Sequence, residues 1–325
     1  MADPLSPRTD LSLPELGYGA SSLGNMHRVL PEEQAWGVLE AAWDAGIRYY
    51  DTAPHYGLGL SERRLGAFLQ TKPRDEYVLS TKAGRLLVPN PGGENELDLD
   101  NAFHVPAVTR RQWDFSADGV RRSIDESLER MGLDRIDLVY LHDPERSDDL
   151  ERNLASGTQA LGDLKTEGVI AASGLGSMDP TALALGASSG ALDALMVAGR
   201  LTLLEQPALA DVVPACERTG TSIVTASVFN SGLLSSDDPA DNPRYEYGAA
   251  PAELIDRASR IAAVCRAHGV PLPAAALQYT PRLPQVRSVV SGSSRAAQIR
   301  QNADWMGLPI PTALWADLEA HGLTP

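Results

Sequence analysis

Four polar side chains in this chain could together carry out acid–base chemistry: Asp51, Tyr56, Lys82 and His142. A tyrosine phenol has an ordinary pKa of about 10, so it accepts a proton poorly at neutral pH unless a cation lies beside it. Lys82 could supply that cation, Asp51 could hold Lys82 in place, and His142 could polarise a substrate oxygen. Such a set suits reversible oxidation at a C–OH carbon, in which a protein group handles the proton and a cofactor handles the hydride.

Each of the four residues also has an ordinary structural explanation. An aspartate at a strand end often caps the next helix, and a tyrosine after a strand often packs on the surface. A single histidine is usually hydrogen-bonded within the structure, and a single lysine is usually solvated. The functional interpretation therefore depends on whether the fold brings the four side chains together.

Short apolar runs alternate with amphipathic segments along most of the chain. Continuous apolar runs are typical of parallel strands covered by helices. Eight such runs over this length predict a (β/α)₈ TIM barrel, with a doubly wound open sheet as the alternative. The predicted strands are Leu16–Ser22, Ile47–Asp51, Tyr77–Lys82, Ile136–Leu141, Val169–Gly174, Ala194–Ala198, Ser222–Ala226 and Val286–Val290.

In a barrel of this kind the working residues lie at the C-terminal ends of the strands. The four residues end or follow the second, third and fourth predicted strands, so we expect them at one end of the barrel. No linker divides the chain, and we predict one domain over residues 1–325. Residues 83–115 interrupt the alternation without a sustained period, which predicts a long loop after the third strand.

The composition excludes several classes of protein. The 325 residues carry a net charge of −15, which argues against a nucleic-acid-binding surface or a polybasic membrane patch. No apolar run approaches the roughly 20 residues that cross a bilayer, and no signal peptide is evident. Two cysteines far apart favour the cytoplasm. Lysine occurs three times, and Lys72 and Lys165 are expected where helices end or turn outward.

Several other kinds of site are also disfavoured. The six histidines have no metal-ligand spacing, so no metal is predicted. A serine-hydrolase G-x-S-x-G elbow is absent. The glycine-rich strings that begin at Gly17 and Gly174 do not complete a dinucleotide fingerprint, and tight strand-to-helix turns explain them equally well.

Four segments resemble the signature of the aldo-keto reductase family. They are Tyr50–Gly66 (YDTAPHYGLGLSERRLG), Ser80–Lys82, Asp137–His142 and Asn302, and the resemblance spans most of the chain. It implies a barrel that binds NAD or NADP in an extended pose without a Rossmann fold. It also maps the family's Asp–Tyr–Lys–His tetrad onto the four residues named above, and it implies a small-molecule substrate.

The same resemblance implies where the cofactor binds. Gly19, Ala20 and Asp51 would lie near the nicotinamide, and Ser177 near its carboxamide. The pyrophosphate would lie against Ser227, Phe229, Asn230, Ser231, Gly232 and Leu233. The adenosine phosphate would meet Gly292, Ser293, Ser294, Arg295, Gln298, Gln301 and Asn302.

Some positions depart from the commoner reductase pattern. Ala226 replaces the ring that stacks on nicotinamide, and Met196 replaces the amide that binds its carboxamide. Gly292 and Gln298 replace two cations of the 2′-phosphate site, and losing them removes charge-assisted hydrogen bonds to that phosphate. Arg295 and Arg300 could replace them in part. NAD is therefore predicted over NADP.

Further segments resemble the branch of the family that oxidises aldoses at C1 to lactones, including Gly199–Gln206 and Val228–Leu234. Oxidation of pyridoxal, or general aldehyde and ketone reduction, is the alternative within the family. A cofactor-sensing subunit with little turnover, or a non-redox isomerase or lyase, is the alternative from another class. Candidate substrate contacts are Met26, His55 and Trp113, although packing explains each of them as well, and Trp113 could instead anchor its loop.

Overall fold

The computed structural model describes residues 3–246 and 248–325. Its strands are β1 (Pro4–Ser6), β2 (Thr9–Ser12), β3 (Leu16–Gly19), β4 (Tyr49–Asp51), β5 (Val78–Ala83), β6 (Arg85–Pro89), β7 (Thr109–Trp113), β8 (Leu138–His142), β9 (Ala172–Ser177), β10 (Ala194–Ala198), β11 (Ser222–Ala226), β12 (Arg244–Tyr245), β13 (Gly248–Ala249) and β14 (Val286–Ser291).

Helices separate the longer strands. They are α1 (Glu32–Asp44), α2 (Leu60–Leu69), α3 (Ala117–Met131), α4 (Leu150–Thr166), α5 (Pro180–Ser188), α6 (Val212–Thr219), α7 (Ala252–Ala267), α8 (Leu272–Tyr279), α9 (Ala296–Met306) and α10 (Thr312–Ala320). Side chains that accept from the first free backbone amides begin three of them: Ser116 for α3, Asp149 for α4 and Asp179 for α5. None of the helices among the described residues is both long and apolar enough to cross a bilayer.

Eight parallel strands close into a barrel in chain order, β3-β4-β5-β8-β9-β10-β11-β14, and β14 pairs with β3 to complete it. Each of the eight predicted strands contributes one of these barrel strands, which confirms the predicted fold class. The strand interiors are buried because helices cover the outer face and side chains such as Tyr49, Tyr140 and Met196 fill the inside.

Several strand bounds differ from the prediction by one to three residues, and the first and fifth barrel strands differ most. The first strand ends at Gly19, and Ala20–Gly24 forms a 3-10 turn instead. The fifth barrel strand begins three residues later than expected, at Ala172, because Gly168 takes a left-handed φ of +76° after α4 and a short connection precedes the strand. The consequence for the site is that Ser177 lies within β9 rather than in the loop after it.

The prediction of an irregular loop over residues 83–115 was wrong for part of that segment. Strands β6 and β7 pair in antiparallel register, from Arg85 opposite Trp113 to Pro89 opposite Thr109. The sequence did not reveal this hairpin because Arg85–Pro89 and Thr109–Trp113 lack the alternation of a half-buried strand. The 3-10 turns Gly93–Asn95 and Leu99–Asn101 connect them.

A second hairpin, β1 with β2, lies before the first barrel strand in a region for which the sequence suggested no element. Its Leu5 is buried with side chains of the barrel interior, such as Leu138 and Val224. Ser6 donates to Asp193, a buried residue directly before β10, over 2.6 Å. This hairpin therefore packs against the N-terminal end of the barrel.

Lys165 also corrects an expectation from the sequence. Instead of turning outward at the end of α4, its ammonium donates to Asp193 Oδ2 over 2.7 Å. The Ser173 backbone amide donates to the same carboxylate oxygen over 2.9 Å. The N-terminal end of the barrel thus contains a buried ion pair with several hydrogen bonds.

Candidate active site

The Asp51 carboxylate and the Lys82 ammonium meet at the C-terminal ends of adjacent strands. Parallel pairing of β4 with β5 sets Asp51 opposite Ser80, two residues before Lys82. The Asp51 and Lys82 side chains can therefore reach the same space at the C-terminal end of the barrel. Lys82 Nζ donates to Asp51 Oδ2 over 2.6 Å and to the Thr52 carbonyl oxygen over 2.9 Å. Ser80 donates to the other carboxylate oxygen over 2.7 Å. All these groups are buried, so the pair is held rigidly.

Tyr56 reaches this pair from the turn that follows β4. Its backbone amide donates to the Ala53 carbonyl oxygen over 3.1 Å. The next residue, Gly57, has a φ of +61°, and a Cβ there would stand 2.2 Å from the Gly24 carbonyl oxygen. Only glycine permits this close backbone contact, which fixes the turn. Lys82 Nζ lies 4.8 Å from the centroid of the Tyr56 ring and is hydrogen-bonded to its side chain.

The electrostatics keep the lysine charged. Burial alone would lower the pKa of Lys82, but the nearby Asp51 carboxylate and Tyr56 hydroxyl outweigh it, and the pKa of Lys82 is raised. Burial raises the pKa of Asp51, opposed by the charge and hydrogen bond of Lys82. A permanent cation beside a phenol stabilises the phenolate, which is the form that accepts a proton.

His142 completes the group from the end of β8. Burial, followed by the charges of Arg85 and Lys82, holds the pKa of His142 well below its usual range. The imidazole is therefore neutral at physiological pH. Its ring centroid lies 6.0 Å from that of Tyr56, and its Nδ1 is buried without a hydrogen-bond partner among the described residues. A neutral imidazole with an unused nitrogen can hydrogen-bond a substrate oxygen.

Sequence reasoning missed a set of charged residues around this group. Arg85, on β6, is buried and pairs with Asp143, which directly follows His142. Arg111, on β7, pairs with Asp98 over 2.6 Å and donates to His55. The only signal in the sequence was the presence of arginines at both ends of the segment 83–115, and their partners lie far away in sequence.

The candidate substrate residues lie in different surroundings. The Tyr56 ring centroid is 6.0 Å from that of His55, and the His142 centroid is 5.5 Å away, so His55 adjoins the four residues. The Met26 backbone forms an isolated antiparallel β-bridge with Phe103, which lies in the segment between β6 and β7. Trp113 stacks on Phe115 at 6.1 Å and lies under the Arg85 guanidinium, which favours its anchoring role.

The residues assigned to the pyrophosphate form a tight turn after β11. Ser227, Asn230 and Ser231 all have positive φ values, between 46° and 58°. Successive left-handed residues curl a loop so that its polar groups converge, an arrangement suited to phosphate oxygens. Asn230 also has a buried side-chain oxygen without a hydrogen-bond partner in the described part of the chain. Ser227, Asn230 and Ser231 line a pocket with Gly199, Arg200 and Met178.

The remaining cofactor candidates surround the end of β14. A Cβ on Gly292 would stand 2.8 Å from the Gly19 carbonyl oxygen, so glycine allows the two loops to approach. Asn302 donates to Ser291 over 3.0 Å, and Ser293 donates to Gln298 over 2.6 Å. Ala20 begins the 3-10 turn after β3. Ser294 and Arg295 directly precede α9 and Gln301 lies within it, whereas Phe229, Gly232 and Leu233 lie in the turn after β11.

Two observations modify the cofactor assignment. Ser177 is buried in β9, and its hydroxyl donates to Glu145 over 2.7 Å and accepts from the Asp179 amide. Arg28, which the sequence did not single out, donates to Ser294 over 3.1 Å and so brings a cation to the adenosine side. The donors and glycines present fit a nicotinamide dinucleotide. Among the described residues, no group of three or more His, Cys, Asp or Glu could hold a metal ion.

Comparison with known proteins agrees with this geometry. The model of the aldo/keto reductase family matches residues 15–322. A D-threo-aldose 1-dehydrogenase from a Pseudomonas species is 60% identical over 99% of this chain and 98% of its own length. A pyridoxal 4-dehydrogenase from Microbacterium luteolum is 36% identical over 97% of this chain and 96% of its own.

A solved structure extends the likeness to the fold. An aldo-keto reductase from Bacillus halodurans, in its holo form, superposes with a TM-score of 0.75 at 24% identity, over 98% of this chain and 95% of that one. At that identity the superposition supports the fold alone, whereas the family match covers nearly the whole chain. The chain belongs to the aldo/keto reductase family of oxidoreductases, which use nicotinamide cofactors.

Proposed function

We propose that this protein oxidises an aldose at C1 to the corresponding lactone, with NAD as the oxidant. One observation carries the proposal: a buried Lys82 joins Asp51, 2.6 Å away, to the Tyr56 side chain, and a neutral His142 stands beside them. The 60% identity with a D-threo-aldose 1-dehydrogenase supports the choice of substrate class.

Tyr56 would act as the proton acceptor for the O–H at C1. Loss of that proton leaves a negative oxygen that collapses to the carbonyl as the C1 hydride departs. Lys82 stabilises the phenolate form of Tyr56, and Asp51 keeps Lys82 oriented and charged. His142, neutral under these conditions, would donate a hydrogen bond to the same substrate oxygen.

The bound dinucleotide would supply the hydride acceptor. Ser227 and Asn230–Leu233 would hold its pyrophosphate in the turn after β11, and Ser293, Arg295 and Asn302 would hold the adenosine end. Gly19 and Ala20 would lie beneath the nicotinamide, and glycine fits at position 19 because a Cβ there would stand 3.0 Å from Val290 Cγ1.

The preference for NAD rests on missing cations. Gly292 carries no side chain, and Gln298 already accepts a hydrogen bond from Ser293. Arg28 donates to Ser294, and Arg295 directly precedes α9, so the cations beside this loop stand at other positions than the two that are missing. We therefore expect NAD to give the higher kcat/KM. A kcat/KM with NADP about tenfold or more above that with NAD would overturn this part of the proposal.

The deciding experiment mixes the protein with NAD and a panel of aldoses and follows NADH formation by absorbance. Turnover of an aldose, with the lactone identified by mass spectrometry, supports the proposal. Tight NAD binding without turnover of any substrate would instead favour a sensing role. Absence of NAD and NADP binding would contradict the whole account.

Oxidation of pyridoxal is the second candidate, because the pyridoxal 4-dehydrogenase named above is 36% identical over nearly the full chain. Pyridoxal in the same panel decides between the two. Turnover of pyridoxal with a higher kcat/KM than any aldose would replace the first proposal.

A further inference from the structure

His55 adjoins the four residues of the candidate site, but its hydrogen bonds are with Arg111 on β7. Arg111 donates through Nε to His55 Nδ1 and through Nη2 to the His55 carbonyl oxygen, the latter over 2.8 Å. The same guanidinium contacts both oxygens of Asp98, over 2.8 and 2.6 Å. Asp98 is buried and also accepts from Asn101 over 2.8 Å, so the guanidinium is firmly held.

This contact decides which nitrogen of His55 carries the proton. A guanidinium has only N–H groups and can only donate. The Nδ1 that accepts from Arg111 must therefore present a lone pair, which places the single proton of a neutral ring on Nε2. Burial and the neighbouring arginines Arg85 and Arg111 hold the pKa of His55 well below its usual range, so the ring is neutral.

The Nε2–H group of His55 can donate one further hydrogen bond. The side-chain hydrogen bond of His55 is made by Nδ1, and Nε2 has no hydrogen-bond partner in the described part of the chain. The residue is only half-buried, although its ring contacts those of Phe103 at 5.4 Å and His142 at 5.5 Å. A donor on a ring that adjoins those of Tyr56 and His142 is suited to a substrate oxygen.

We propose that His55 binds a second oxygen of the substrate through Nε2–H, next to the oxygen that reacts, and that Arg111 is the positioning residue that fixes this tautomer. The inference rests on the proposed function and deepens it, because it selects substrates that carry a hydroxyl or ring oxygen adjacent to the reacting carbon. Asp98 lies between β6 and β7 and Arg111 lies on β7, so this hairpin sets specificity through His55 without itself touching the substrate.

Two substitutions of His55 separate this role from simple packing. The amide nitrogen of His55→Gln can occupy the place of Nε2 and still donate, whereas His55→Leu keeps the bulk but donates nothing. For a good aldose substrate we expect His55→Leu to lower kcat/KM about 10- to 100-fold, mainly through KM, and His55→Gln to restore much of that loss.

The matching substrate control uses deoxy analogues of the same aldose. For the analogue that lacks the hydroxyl bound by His55, wild type and His55→Leu should differ by less than about twofold. An equal loss on the parent aldose and on its 2-deoxy analogue would overturn the proposal, unless the ring oxygen is the partner. A 5-thio aldose, whose ring sulfur accepts poorly, tests that remaining case, and an equal loss there too rejects the role.

The tautomer can be measured without turnover. In protein labelled with ¹⁵N-histidine, the His55 signal, identified by its absence from His55→Gln, should show an unprotonated Nδ1 and a protonated Nε2. Arg111→Met should abolish this pattern, whereas Arg110→Met, at the exposed neighbouring position on β7, should leave it unchanged. A protonated Nδ1 in the wild type would contradict the inference. If wild type oxidises no aldose at all, the proposed function fails instead, and this spectrum still reports on Arg111.

Discussion

The two ends of the barrel each contain a lysine paired with a buried aspartate, and the two pairs differ in what surrounds them. At the N-terminal end, Lys165 and Asp193 are 2.7 Å apart, and Ser6 and Ser173 also donate to the carboxylate. At the C-terminal end, Lys82 and Asp51 are 2.6 Å apart, and the Tyr56 phenol and the His142 imidazole lie beside them.

The difference indicates which end does chemistry. Asp193 accepts hydrogen bonds from several elements that are distant in sequence, as expected of a pair that joins a hairpin, a helix and a strand. Beside Asp51, the Nδ1 of His142 is buried without a partner among the described residues, and leaving such a group unpaired costs stability. Arg8 Nε, 3.7 Å from Asp193, is also buried without a hydrogen-bond partner in the described part of the chain, so what separates the two ends is the phenol and the imidazole at the C-terminal end.

The largest expected effect is on kcat at the C-terminal end of the barrel, with the fold left intact. Tyr56→Phe removes only the hydroxyl that would accept the proton, so kcat should fall by about 10²- to 10⁴-fold. NAD affinity, measured by fluorescence titration, should stay within about twofold of wild type because the cofactor groups are elsewhere. Near-normal turnover would show that Tyr56 is not the acid–base group.

The next largest effect is a loss of stability, without a loss of activity, at the N-terminal end of the barrel. Lys165→Met leaves the buried Asp193 without its ammonium, and the free energy of unfolding should drop by about 2–3 kcal/mol. This lies at or below the usual range for a fully buried pair, because Lys165 is partly exposed and Arg8 Nε remains 3.7 Å from Asp193. Denaturant titration measures the drop, and kcat should not change.

Lys82→Met is the matched variant for that experiment. It should reduce kcat by at least about 10²-fold, because the cation that stabilises the Tyr56 phenolate is gone. If Lys165→Met impaired kcat as severely as Lys82→Met, the contrast between the two ends would be lost.

A smaller effect is expected in how the free energy of unfolding depends on pH. The pKa values of His55 and His142 lie well below the ordinary value near 6.5, first through burial and then through cations that include Arg85, Arg111 and Lys82. Below about pH 6.5 the unfolded chain therefore binds more protons than the folded one, and stability falls as pH falls, by up to about 1.4 kcal/mol per pH unit for each histidine.

The control for this prediction is a double variant, His55→Gln with His142→Gln, which cannot take up those protons. Denaturant titrations between about pH 7 and 5 should give a shallower loss of stability than in wild type. Equal slopes for the two proteins would mean that the histidines are not held neutral in the fold.

The third lysine should have the smallest effect. Lys72 Nζ lies 5.1 Å from the Trp43 ring and 4.7 Å from the Phe68 ring, without a carboxylate partner among the described residues. Lys72→Met should change the free energy of unfolding by at most about 0.5–1 kcal/mol and leave kcat unchanged. If Lys72→Met lowered the free energy of unfolding as much as Lys165→Met, the ion pair with the buried Asp193 would not explain the effect of Lys165→Met.

The sequence predicted the barrel and the four residues because both depend on local patterns. Each barrel strand is a continuous apolar run, and Asp51, Lys82 and His142 lie where such runs end. The functions assigned to these residues, and to the cofactor residues, remain predictions. Parallel pairing of neighbouring strands was enough to bring the side chains together.

The parts that the sequence did not predict depend on contacts between distant residues. Lys165 was expected to turn outward, because nothing near it in sequence indicates Asp193. The partners of Arg111 are Asp98, within its own segment, and His55, which is 56 residues away. Such pairings require the hairpin of β6 and β7 to pack over the barrel, and its short strands lack a periodic signal.

The central claim is that the C-terminal end oxidises an aldose at C1 with Tyr56 as the base. The most direct measurement uses an aldose deuterated at C1, with NAD, and mass analysis of the NADH and of the sugar product. The account predicts one deuterium in the NADH and a lactone without it, formed by wild type and nearly absent with Tyr56→Phe. NADH without deuterium together with a sugar product that keeps it at C1, or equal NADH formation by both proteins, would contradict the account.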